Sequence, residues 1–107
     1  MKDAKQQDIL QAINSGQTGA VYFYTPMCGT CKLAGKMLEV TEAMQPGLQI
    51  LKGNLNIMPA IAEQWEIESV PCLLLYGAGG TEKMYAFHSV EHVNKKLKKH
   101  WMSRLRH

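Results

Sequence analysis

Apolar residues first recur at helical spacing between Asp3 and Asn14, where Ile9, Leu10 and Ile13 share one face. Gly16 follows, at the place where a left-handed residue commonly closes a helix, so the pattern predicts a helix over Asp3–Asn14. After Gly19 the period changes. Ala20–Thr25 carries the run AVYFY, rich in β-branched and aromatic residues, and reads as a buried strand. Pro26 and Met27 break it. A second helix is expected over Cys28–Met44, with Leu33, Met37, Val40 and Met44 spaced for its apolar face, and Pro46 and Gly47 end it. Leu48–Asn54 alternates as a second strand, and Pro59 opens a short helix that runs to about Glu66. Cys72–Tyr76 is a short apolar strand between Pro71 and a glycine turn (Gly77, Gly79, Gly80), and Lys83–Phe87 is expected to pair with it across that turn. Ser89 is the expected N-cap of a terminal helix that starts at Val90.

Strand–helix–strand passages make parallel neighbours and tight hairpins make antiparallel ones, so this order predicts an α/β fold, a small mixed sheet with helices on both faces. The 107 residues suit one domain spanning 1–107. With 46% hydrophobic and 20% charged residues, the composition is that of an ordinary globular protein and not of a disordered or disulfide-dense one. The opening MKDAKQQDILQAINSG lacks a continuous apolar core for a signal peptide, and Val70–Tyr76 is too short to span a bilayer, so the expected location is cytoplasmic, with no membrane partner.

The net charge of +3 gathers near the C-terminus at Lys95, Lys96, Lys98, Lys99, Arg104 and Arg106. Val93, Leu97, Trp101 and Leu105 recur every four residues beside them. The cations then form the wet face of an amphipathic helix, and no nucleic-acid partner is expected.

The candidate chemistry lies in YTPMCGTCK, Tyr24–Lys32. Cys28-x2-Cys31 could be a redox pair, half of a metal site or a structural clip. Three cysteines in a cytosolic chain disfavour the clip, because thiols there are kept reduced and disulfides are transient and catalytic. A zinc site would need His88-x3-His92 to complete the set, and 56 residues separate Cys31 from His88, far from finger spacing. No metal or other cofactor is expected. A redox pair suits the context. Cys28 falls where a strand gives way to a helix, and the free amides and dipole of a helix N-terminus favour a thiolate there. Cys31, three residues on, lies within reach, so attack and release through a mixed disulfide follow naturally. Gly29 and Thr30 are small enough to leave the sulfurs accessible, Lys32 is assigned no role, and the methionines at 37, 44 and 58 read as core filler.

The apolar strand VYFY, the CGTC pair opening a helix, the second strand with its short helix, and SVPCLLLYGAGG together resemble the thioredoxin family across most of the chain. The resemblance implies a thioredoxin-like fold and a thiol–disulfide oxidoreductase with Cys28 and Cys31 as its redox-active pair. It implies that Pro71 is cis beside that pair and that the Val70 backbone binds an extended substrate segment by strand-like hydrogen bonds. Met27, Gly29, Thr30, Val70 and Pro71 are thus the expected motif and groove. Protein disulfides are the implied substrates, with an upstream thiol reductant such as a thioredoxin reductase as donor, and the chain is expected to act as a monomer. The pattern departs from the family at four places: Tyr22 stands where a buried aspartate is usual, Met27 for tryptophan, Thr30 for the motif proline, and Lys36, beside Gly35, for a later proline. A phenol is a poor base at neutral pH, so Tyr22 favours the competing reading, a redox-inactive binding module on the same fold. The chain also starts too late for the usual first strand, so a four-stranded sheet is expected. Cys72, directly after Pro71, is either a small buried core residue or a third thiol.

Overall fold

A computed structural model describes residues 1–106. The elements run β1 (Lys2–Asp3), α1 (Gln6–Ile13), β2 (Gly19–Tyr24), α2 (Gly29–Met44), β3 (Ile50–Asn54), α3 (Pro59–Gln64), β4 (Cys72–Gly77), β5 (Gly80–Met84) and α4 (Val90–Met102), with 3-10 turns at Leu55–Ile57 and Ser103–Arg106. The sheet order is β1-β3-β2-β4-β5. β2 lies at its centre, parallel to β3 and antiparallel to β4. Its alternate side chains therefore feed two cores. Ala20 and Tyr22 face α2 and α4, together with Leu38, Leu73, Val93 and Leu97. Val21 and Phe23 face α1 and α3, together with Ile9, Met58, Ile61 and Leu74. No described helix is long and apolar enough to cross a membrane.

Four expectations are corrected. The sheet has five strands, because the first strand is present after all: Lys2 and Asp3 pair in parallel with Leu51 and Lys52, and the Ala4 N–H donates to the Lys52 carbonyl at 3.0 Å. The two residues of this strand are charged and exposed, joined to the sheet by backbone bonds beside the Met1 ammonium that pairs with Glu42, and they carry no hydrophobic alternation to detect. It also moves the start of α1 from Asp3 to Gln6. The second correction concerns α2, whose buried positions are Cys31, Ala34, Gly35, Leu38 and Thr41. Leu33, Val40 and Met44 are exposed, and Met37 is only partly covered. The helix turns its small residues to the sheet because the Tyr22 ring stands beneath it: a Cβ on Gly35 would lie 3.6 Å from Tyr22 Cε2.

Third, β5 occupies Gly80–Met84 and not 83–87. Ala78 and Gly79 lie between the paired Gly77 and Gly80, and the positive φ of 111° falls at Gly80, the residue just after the turn, where glycine tolerates the left-handed backbone of a bulge. Its side chains are exposed except for Met84, as on any polar edge strand. Last, Leu105 lies beyond α4 and is exposed, so only Val93 and Leu97 of the terminal apolar row are sealed. His100, not expected to matter, places Nε2 at 2.9 Å from the Gly19 carbonyl and 3.0 Å from that of Tyr76, tying α4 to the start of β2 and the end of β4.

Candidate functional site

β2 ends at Tyr24, and the chain turns through Thr25–Met27 with the Cys28 N–H donating to the Thr25 carbonyl at 3.2 Å. That turn delivers Cys28 to the N-cap of α2. The Cys31 N–H, one of the helix's unsatisfied first-turn donors, points at Cys28 Sγ from 3.2 Å, and Thr30 Oγ1 lies 3.4 Å from the same sulfur. These donors would stabilise a thiolate on Cys28, which is how a helix start acidifies a cysteine. Cys28 and Cys31 are joined in a disulfide with Cα atoms 5.2 Å apart. The two sulfurs differ in access: Cys28 is half-buried, whereas Cys31 is 4% exposed behind it.

The surroundings of Cys28 form an open edge. Met27 is 94% exposed, and a side chain on Gly29 would meet nothing within 4 Å. The Val70 carbonyl oxygen lies 4.0 Å from Cys28 Sγ, and the Val70–Pro71 peptide bond is cis. The structure thus gathers Met27, Cys28, Gly29, Thr30, Cys31, Val70 and Pro71 around one sulfur pair.

Beneath the pair, Tyr22 is buried on the same face as Cys31. Its hydroxyl donates to the Cys31 carbonyl at 2.5 Å, while its ring stacks on Tyr24 at 6.1 Å and meets Phe87 edge-on at 6.3 Å. Burial, and after it the neighbouring Tyr24, push the Tyr22 hydroxyl up to about 12, so it is a neutral phenol at physiological pH. Its proton is committed to a backbone carbonyl and not to a sulfur. Tyr22 therefore ties the turn that carries Cys31 to β2. That backbone target had no signal in the sequence.

Cys72 does not join the pair. It belongs to the core on the α1 and α3 side of the sheet, fully buried, the reverse of the face that holds Cys31. Burial raises its thiol to about 11 against the opposing pull of the Tyr85 hydroxyl and Lys83. The His88 and His92 rings meet at a tilt of 54°, with centroids 4.8 Å apart. Among the described residues no group of three or more His, Cys, Asp or Glu side chains converges, so the two cysteines and two histidines do not assemble into one ligand set.

A family model described as Thioredoxin matches residues 2–100. The chain is 47% identical over 79 residues to the thioredoxin-like protein YusE of Bacillus subtilis (strain 168), covering 73% of this chain and 74% of that one. It is 34% identical over 74 residues to a thioredoxin of Chlamydia trachomatis serovar D, covering 69% and 72%. Among solved structures, the J-Trx1 fragment of ERdj5 superposes with a TM-score of 0.85 at 22% identity, over 97% of this chain and 51% of that one, a likeness of fold.

Proposed function

The chain belongs to the thioredoxin family, and from that premise we propose that its Cys28–Cys31 pair, the centre of a thiol–disulfide oxidoreductase, serves a cytosolic reductant of protein disulfides. The reading is carried by the asymmetry of the two sulfurs. Cys28 caps the helix, accepts its amide and faces the open edge, whereas Cys31 is buried behind it.

In the reduced protein, Cys28 thiolate attacks one sulfur of a substrate disulfide. A Cys28–substrate bond forms, the substrate S–S bond breaks, and the departing thiolate takes a proton from solvent. Cys31, in the first turn of α2 with its Cα 5.2 Å from that of Cys28, then attacks Cys28 Sγ, closes the internal disulfide and releases the second substrate thiol. The substrate gains two electrons and the pair loses two. An upstream dithiol restores the reduced state, and the family's usual dependence on a thioredoxin reductase makes such an enzyme the proposed donor. The extended segment around a substrate cysteine would lie along Val70 as an added strand, with Met27 as an adaptable apolar contact. A single free cysteine, sealed in the core, fits a reducing compartment, and the proposed working form is a monomer.

Turbidity from insulin reduction, with dithiothreitol as donor, tests the activity. Acceleration over dithiothreitol alone is expected; its absence would favour the binding-module reading. A Cys28–Cys31 potential near the thioredoxin value of about −270 mV supports a reductant, and one at about −180 mV or above would move the role to oxidant or isomerase.

A further inference from the structure

A second surface reaches the same sulfurs from the other side of α2. A cavity of about 390 Å³, near the lower end of small-ligand sites, is lined by both Cys28 and Cys31 but by neither Val70 nor Pro71. It is therefore separate from the edge where an extended protein segment would lie. Its floor is made by the Tyr22 and Tyr24 rings, and it is open because α2 carries no side chain at Gly35.

Charge decides what it suits. Lys32 and Lys36, one turn apart on α2, line the cavity together with Lys52 of β3, against a single acid, Glu39. Lys52 enters because the parallel register sets it beside Tyr22, and its Nζ lies 4.9 Å from the Tyr24 ring centroid. Among its side chains the lining is thus net +2 beside the redox pair, three lysines against one glutamate, and the ammonium of Met1, which also lines it, is paired with Glu42 at 2.8 Å. Where the family usually buries an acid there is the uncharged Tyr22, so no negative charge beneath the pair opposes an anion.

We propose that this cavity admits a low-molecular-weight disulfide bearing carboxylates, which the protein reduces alongside protein disulfides. The proposal rests on the redox reading above and names a further substrate class for the same pair. The lysine ammonium groups hold the carboxylates while one sulfur of the small disulfide meets Cys28. Cys28 thiolate attacks that sulfur, forming a mixed disulfide and expelling one small thiolate, which is protonated by solvent. Cys31 then attacks Cys28 Sγ, forms the internal disulfide and expels the second small thiol. The small disulfide is reduced by two electrons, the pair is oxidised by two, and a dithiol donor restores it.

The test compares oxidised glutathione, net anionic, with cystamine, dicationic, each normalised to its rate with free dithiothreitol. For the full chain the normalised ratio should favour oxidised glutathione by roughly 3- to 10-fold at low salt, the size expected of partly exposed charge contacts, and should shrink at about 0.5 M salt. In a K36Q/K52Q variant the ratio should fall towards one. Because the ratio is taken within one protein, a change in overall activity does not mimic it. A ratio of one in the unmodified protein, or one untouched by salt and by the lysine replacements, would overturn the proposal. Insulin reduction run in parallel separates the failures: normal insulin turnover with a flat ratio refutes the small-disulfide site alone, whereas loss of insulin turnover with the ratio intact refutes the protein-disulfide reading alone.

Discussion

Cys31 and Cys72 are both nearly sealed from water, at 4% and 0% exposure, and they sit on opposite faces of one sheet. Cys31 lies in the first turn of a helix, bonded to a neighbour three residues away, above a tyrosine and beside a lysine-lined hollow. Cys72 lies in a strand among Phe23, Leu74, Met58 and Ile61, with its thiol raised to about 11. Burial does not separate a reagent from core filler. A helix start and a partner sulfur do, because they supply a favourable site for thiolate and somewhere for the electrons to go.

That contrast breaks most sharply under cysteine replacement. Cys28→Ser is expected to lower dithiothreitol-driven insulin reduction by at least about 100-fold, since the thiols that remain, Cys31 and Cys72, are both buried, whereas Cys72→Ala should leave the rate within about twofold. A comparable loss in both would put Cys72 into the chemistry. Alkaline titration probes the same contrast through stability. The folded Cys72 thiol holds its proton to about 11 against an ordinary value of 9.0, so its contribution is full below pH 9 and is lost as pH rises through about 11, on the order of 3 kcal/mol. Tyr22 follows between pH 10 and about 12. Urea unfolding of Cys72→Ala should therefore be flatter between pH 9 and 11 than that of the parent; an unchanged slope would place the pH sensitivity elsewhere.

Glycines sharpen the comparison of the two faces at smaller scale. A Cβ on Gly19 would overlap the Tyr76 ring, which packs on the α1 and α3 side, so Gly19→Ala should destabilise by about 1–3 kcal/mol. On the α2 side a Cβ at Gly35 meets Tyr22 only at ordinary contact distance, 3.6 Å. Gly35→Ala should then stabilise by about 0.5–1 kcal/mol, the usual gain inside a helix. Equal destabilisation by both, read from urea midpoints, would mean that the hollow beside Tyr22 is not free space.

Strong periodicity and special residues made much of this legible. AVYFY and CLLLY announced the two central strands, Ser89 marked the last helix, where its hydroxyl accepts the His92 N–H, and Cys28 marked the start of α2. Edges were not legible. β1 is two charged residues, and β5 is a polar edge whose register is set by a glycine loop. The α2 face misled because Leu33, Met37, Val40 and Met44 satisfy helical spacing as well as the true inner row does. What chose between the rows was the Tyr22 ring, a contact 13 residues away from Gly35 that favours small residues above it. The lysine cavity was hidden for the same reason, since Lys52 joins Lys32 and Lys36 only through strand register.

The central claim is that the more accessible, helix-capping sulfur attacks and the buried one resolves. Mass spectrometry of mixed disulfides captured by Cys31→Ser and Cys28→Ser proteins, each incubated with a disulfide-containing substrate such as insulin, tests it most directly. Cys31→Ser should accumulate a covalent adduct through Cys28, and Cys28→Ser should yield little. Equal trapping by both variants, or trapping through Cys31 alone, would contradict the account.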